Sequence, residues 1–292
     1  MNSDKNTLLG ALLCVLLIIS ITPGLAQDEA EDTDAMKPAR PAFDNALIID
    51  NQTNLVPFKG TLEFMIQHRF GTVENGIHDL YGLFAPSNIR LGFGYTIMDK
   101  YGALAVGYGT TKDNRLQDFS VKYAFLQQTR GGKMPVSVTY YGNMGIKAQG
   151  TKEEQPNGNT SDRFSYFHQL IIARRFSPKF SLMVAPSLSH FNVVEPQMKN
   201  DHIAIAVAGR YKFGAQTAVI FNIDQPITQH QLYNPQPNVS FGIEVTTSSH
   251  TFQVFMTNYS AIVPQQNNVY NNNDPWDGDF LIGFNIGRLW NF

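Results

Sequence analysis

From about residue 60 onward, apolar and polar positions alternate with a period of two. Ile89, Leu91, Phe93, Tyr95 and Ile97 stand against Arg90, Gly92, Gly94 and Thr96, and Phe119, Val121, Tyr123 and Phe125 against Asp118, Ser120 and Lys122. The same rhythm sets Leu104, Val106 and Tyr108 against Ala105, Gly107 and Gly109. It also sets Ile203, Ile205, Val207 and Tyr211 against Ala204, Ala206, Ala208, Arg210 and Lys212, and Val239, Phe241, Ile243 and Val245 against Ser240, Gly242, Glu244 and Thr246. Successive residues of a β-strand point to opposite faces, so each segment predicts a strand with one apolar face and one polar or small-residue face. Seven less regular segments, near 60–70, 135–147, 163–176, 179–193, 215–224, 250–259 and 279–291, bring the expected number of strands to twelve.

The connections decide between architectures. Short ones are expected at Asp99-Lys100, Gly131-Gly132, Ser177-Pro178-Lys179, Gly214 and Ser248-Ser249. Longer ones fall near 71–87, 110–115, 148–162, 194–201, 225–237 and 260–278. A β-sandwich has no reason to sort its loops by parity. An outer-membrane barrel does, with turns on the periplasmic side, loops outside and an even strand number. About 10 residues per strand, rising about 3.3 Å each with a tilt of about 40°, cover roughly 25 Å, the height of such a barrel's apolar band. The expected fold class is therefore all-β, a transmembrane antiparallel up-and-down barrel of about 12 strands.

Composition narrows this further. The 292 residues are 43% hydrophobic and only 16% charged, and no 18-residue apolar run follows residue 26, which argues against membrane-spanning helices. Lys5, the apolar run from Leu8 to Ile21, and then Pro23-Gly24-Leu25-Ala26 read as a cleaved signal peptide over residues 1–26. Cys14, the only cysteine, lies inside it. From Gln27 to Asp50 seven acidic residues face only Lys37 and Arg40, the composition of a mobile, solvated tail. Asn45 to Phe58, however, carries Leu47, Ile48, Ile49, Leu55, Val56 and Phe58, too apolar for a free linker. The acidic segment 27–58 is expected in the periplasm or partly in the lumen, and residues 59–292 form the barrel. A net charge of −2 leaves no electrostatic footprint for nucleic acid.

The last strand ends with Asn285, Gly287, Trp290 and Phe292 in a pattern that resembles the sorting signal of bacterial outer-membrane barrels. An edge strand with aromatics on one face can be captured by strand addition and then sealed against the first strand. Outer-membrane lipid and the barrel-assembly machinery are thus expected partners, in the cell outer membrane. Lys59-Gly60-Thr61-Leu62-Glu63-Phe64 through Gly71, with Asp79-Leu80-Tyr81-Gly82, Ile89-Arg90-Leu91-Gly92 and Lys122 to Gln128, resembles an uncharacterised family of bacterial outer-membrane β-barrels described only as a domain of unknown function. The resemblance implies a fold and a location over nearly the whole body after residue 45, and it supplies no substrate.

Catalysis is not expected. The seven histidines show no metal-ligand spacing, and neither a metal nor another cofactor is anticipated. Ser189-His190-Phe191-Asn192 is the nearest approach to a hydrolytic set, but adjacent strand residues point to opposite faces and could not share a proton. His68 reads as a boundary residue or a lumen network member. The candidate site is the lumen, where Glu63, Arg69, Arg90, Asp118, Lys122, Arg210, Lys212 and Glu244 are expected to face inward. Such charges either tune solute passage or pair across the barrel and close it. Inward Gly and Ala on part of the wall leave space for a narrow pore, an inserted loop or the segment Asn45 to Phe58. The Asn- and Asp-rich stretch 267–279 lacks EF-hand spacing and reads as a polar surface loop. The leading functional expectation is porin-like passage or binding of a small polar solute through a mildly basic lumen. The alternative is a closed accessory barrel that presents loops and tail to envelope proteins.

Overall fold

The computed structural model describes residues 35–99, 102–148, 158–232 and 234–292, so the expected signal peptide, Lys100 of the turn expected at Asp99-Lys100 and most of the connection expected near 148–162 lie outside the described residues. A two-residue hairpin, β1 (Leu47–Ile48) and β2 (Asn51–Gln52), precedes twelve long strands. These are β3 (Thr61–Thr72), β4 (Asn88–Met98), β5 (Ala103–Thr111), β6 (Gln117–Leu126), β7 (Ser137–Ile146), β8 (Phe164–Arg175), β9 (Phe180–Phe191), β10 (Asp201–Lys212), β11 (Thr217–Pro226), β12 (Asn238–Thr246), β13 (His250–Thr257) and β14 (Leu281–Asn291). Each pairs antiparallel with its sequence neighbours, and β14 closes on β3 with Trp290 opposite Leu62 and Ile286 opposite Ile66. Closure removes both sheet edges, which an open sheet in hydrocarbon would leave unbonded.

The observed parity is the expected one. Leu91, Phe93, Tyr95, Val106, Phe119, Val121, Ile203, Phe241, Ile243 and Val254 all stand exposed on the outside. Along the strands, outward residues alternate with inward Asp118, Lys122, Ala206, Ala208, Asn222 and Glu244, all buried. The apolar coat has no protein to pack on and faces lipid. His68 belongs to this coat, stacked on Phe284 at 5.0 Å, and is not part of a lumen network. Ser189 is buried on the inner face, whereas the His190 side chain is 37% exposed and reaches Asp201 at 2.7 Å, so the two do face apart.

Five of the connections are long and lie at the end that the loop-length rule assigns to the cell exterior. The β5–β6 connection at the same end is short, as its sequence indicated. One connection at the other end departs from expectation. Gly131-Gly132 lies within the ten-residue stretch 127–136, not a tight turn. That stretch is used as a pairing edge: Ala39 N–H donates to Gln128 O at 2.7 Å, Arg130 N–H to Lys37 O at 3.0 Å, and Gly131 N–H to Ala35 O at 2.8 Å. Residues 35–39 therefore lie at the periplasmic rim, and the chain turns up from there into the barrel.

Candidate functional site in the plugged lumen

Residues 42–54 run inside the barrel and are mostly buried, which corrects the reading of Gln27 to Asp50 as a solvated tail along its last third. Burial is driven by the same residues that looked too apolar for a linker. Ala42, Phe43, Ile48 and Ile49 join one apolar cluster with wall residues that include Phe167, Ile171, Met183, Ala206, Ile220 and Phe255. Small inward alanines on β9 and β10 make room for them. Phe58, by contrast, is 82% exposed, so the segment leaves the lumen before the barrel begins.

The hairpin tip is anchored by polar wall groups. Ile49 has φ 55°, a left-handed conformation that costs a β-branched residue free energy. Its N–H donates to Gln253 Oε1 at 3.2 Å, and its carbonyl accepts from Asn285 Nδ2 at 2.7 Å and Arg69 Nη2 at 3.2 Å. Next to it Asn51 donates to Asn222 at 2.8 Å and Asp224 at 2.6 Å, and accepts from Gln169 at 2.7 Å. An irregular backbone buried at this depth is tolerated only with its polar groups bonded.

All eight charged residues expected in the lumen face inward, and four of the five cations among them touch the plug. Arg69 lies 3.7 Å from Asp50 and packs 4.5 Å over Phe255. Lys122 Nζ donates to Ala46 O at 3.0 Å and Gln52 Oε1 at 3.1 Å. Arg210 and Lys212 hold Asp44 at 2.7 and 3.1 Å, and Arg210 also binds Glu244 at 2.7 Å. Arg90 is the exception: its Nε and Nη2 donate to both oxygens of Asp118 at 2.8 and 2.7 Å, and its Nη1 to Gln67 at 2.9 Å. Methyl groups added at Gly92 or Gly109 would meet that guanidinium at 2.5 and 2.2 Å, so these glycines are its bed. Glu63 lies beside Gly94 on the lower part of the same wall.

The outer mouth is closed by the chain as well. The first residues of the stretch read as a polar surface loop, 267–270, belong to a short helix, α1 (Pro264–Tyr270), with Gln265, Asn267, Asn268 and Val269 buried, while Asn272, Asp277 and Gly278 further along it are exposed as read. Asn267 donates to Asp50 at 2.6 Å, Gln265 to Asn143 at 2.9 Å, and Asn238 to Asn268 at 3.1 Å. The two plugs therefore meet at Asp50. Two of the asparagines that sequence reasoning assigned to solvent, Asn267 and Asn268, are lumen ligands. The only signal for that was their density, because amide side chains satisfy a polar wall without adding charge.

Of the four C-terminal residues read as an assembly signal, Asn285 and Gly287 face the lumen, Asn285 as a plug anchor and Gly287 against Met65. Trp290 takes Arg288 over its ring at 4.9 Å, and Phe292 is 87% exposed.

The Asp44 latch makes the base of the plug sensitive to acid. Partial burial acts to raise its carboxyl, but Arg210 and Lys212 outweigh burial and hold it below the usual carboxylate range. A lowered folded-state value means stabilisation that is present above the unfolded value and lost as pH falls through the folded one, below about 4. Asp44→Ala should remove the same contribution at neutral pH, of the order of 1 kcal/mol or less because the carboxylate itself is 38% exposed. A spin label on Met36→Cys should then report equal mobility for variant and parent once the pH is low enough to protonate Asp44 in the folded chain, and greater mobility for the variant at pH 7.

A membrane barrel is also what the family comparison describes. A family model described as "Membrane bound beta barrel domain (DUF5777)" matches residues 43–290. The chain belongs to this family. The match begins within the plug, so the inserted segment is part of the family's domain and not an appendage. No curated protein matches the chain significantly. Among solved structures, the KdgM porin is 8% identical, covering 80% of this chain and 99% of its own at TM-score 0.46. An outer membrane channel from Pseudomonas putida F1 is 8% identical over 81% and 97%, at TM-score 0.48. LpxR from Salmonella typhimurium is 10% identical over 80% and 100%, at TM-score 0.39. These likenesses are of barrel shape, and no solute or activity is carried over from them. This member of the family is an outer-membrane β-barrel.

Proposed function

We propose that this barrel is a gated, porin-like passage for small polar solutes, held closed at rest by its own N-terminal segment and by α1. One observation carries the reading: the cations that line the wall are occupied by oxygens of the chain itself, Asp44, Asp50, Gln52 and the carbonyls of Ala46 and Ile49. Those oxygens stand where a polar solute's would. A wall built only to be sealed would be served better by apolar packing, because a buried ion pair seldom stabilises more than the apolar residues it replaces. In this reading the lumen holds no catalytic group, lipid surrounds the barrel, and the assembly machinery captures β14 during insertion.

Planar-bilayer recording tests it. The mature chain should show rare, brief openings. A chain without residues 27–54 should carry steady current, with a weak anion preference from Arg69, Lys122, Arg210 and Lys212 left uncovered. Silence from both, with folded barrels verified by heat-modifiable migration, would end the passage reading in favour of a closed accessory barrel in an envelope complex.

A further inference from the structure

The plug does not fill the lumen evenly. Its apolar cluster and tip anchors lie on β7–β11, β13, β14 and the upper part of β3. Across from these, β4 and β5 present two consecutive glycine pairs, Gly92 opposite Gly109 and Gly94 opposite Gly107. The plug reaches the neighbouring strand mainly through the two acceptors of Lys122. A cleft of about 70 Å³ remains there, between Leu55 and Pro57 of the plug and the wall residues Glu63, Gln67, Arg90 and Lys122. A methyl group at Gly94 would meet nothing nearer than Glu63 Oε2 at 3.5 Å, so this floor is open.

Above the cleft lies a second void of about 10 Å³, bounded by Asp50 and Asp118 and by Ile262 and Pro264 at the foot of α1. The two voids share Leu47, Gln52, Gln67, Arg90 and Tyr141 as lining. They form one track up a single wall, interrupted where the Arg90 guanidinium reaches across to Asp118. The Arg90 side chain keeps 14% of its surface exposed while Asp118 keeps 1%, so the arginine is the face of the gate that a solute meets.

We infer that solutes pass between a seated plug and the β3–β6 wall, and that the Arg90–Asp118 pair is the gate on this route. The track selects small zwitterions, offering Arg90 and Lys122 to a carboxylate and Glu63 to an ammonium group. A solute carboxylate replaces Asp118 on the Arg90 fork, the same bidentate geometry with a different partner. The inference rests on the gated-passage reading but differs from it in one respect: the plug need not leave.

The test locks the plug in place. Asn51→Cys and Asn222→Cys replace two side chains that touch at 2.8 Å, and the only native cysteine, Cys14, lies in the expected signal peptide. A reversible bifunctional methanethiosulfonate joins them in the mature chain. The gate is loosened by Arg90→Gln with Asp118→Asn, which removes both charges together and leaves neither buried alone. Locked chains with the loosened gate should conduct about tenfold more than locked chains with the native gate. Liposome swelling with the native gate should favour glycine over glycerol, and the loosened gate should lose that preference. Current that appears only after the cross-link is reduced would show that the plug leaves, overturning this route while preserving gated passage. Silence of the loosened gate, locked or free, beside a conducting chain that lacks residues 27–54 would also overturn it. Silence of that deleted chain too would remove gated passage itself. Heat-modifiable migration verifies folding for each variant.

Discussion

Arg69→Ala is expected to destabilise the folded barrel by about 3–5 kcal/mol, the usual cost of removing one partner from a buried charged pair. Arg69 has no exposed surface, and its one guanidinium serves five groups: the Ile49 and His68 carbonyls, Asn285, the ring of Phe255 and, at 3.7 Å, Asp50. Alanine leaves Asp50 with Asn267 as its remaining donor and leaves the strained Ile49 tip with fewer bonds. Most of the loss is the penalty of an uncompensated carboxylate, so adding Asp50→Asn should restore a large part of it. Urea unfolding of the refolded barrel in lipid vesicles, run as a double-mutant cycle, measures both numbers. Additive single losses would show that the two side chains act independently and that Arg69 holds the plug only through Ile49.

Val121→Arg should cost about 2–4 kcal/mol, the range for a cation on the lipid face near the bilayer midplane. Val121 lies midway along β6, faces outward and is 37% exposed, so the arginine would clash with nothing in the protein. The whole penalty is desolvation in hydrocarbon. Were this face in water, the same exchange would fall within about 0.5 kcal/mol, as surface substitutions do. Val121→Leu should be near neutral and controls for changes in strand propensity.

Much of the fold was legible because a strand's two faces are written residue by residue. Phe119, Val121 and Tyr123 against Asp118, Ser120 and Lys122 identify the lipid side and the lumen side without knowledge of any partner strand. The lumen charges were legible for the same reason. The tight turn expected at Gly131-Gly132 was not, because that connection pairs with Ala35 to Ala39, a contact that no local pattern reveals. Asn267 and Asn268 likewise read as surface residues until the plug is known to present Asp50 to them and the wall Asn238.

By itself the sequence determined the number of barrel strands, the parity of the five that alternate cleanly and the charged side chains that enter the lumen, since each follows from short-range alternation and chain length. Only the tertiary structure decided what the lumen holds. Asp44, Asp50 and Asn51 of the inserted segment and Asn267 and Asn268 of α1 are polar enough for water, yet each finds inside the barrel donors, acceptors or charges that match its own. That match depends on side chains up to 236 residues apart, such as Ile49 and Asn285, and no local period encodes it.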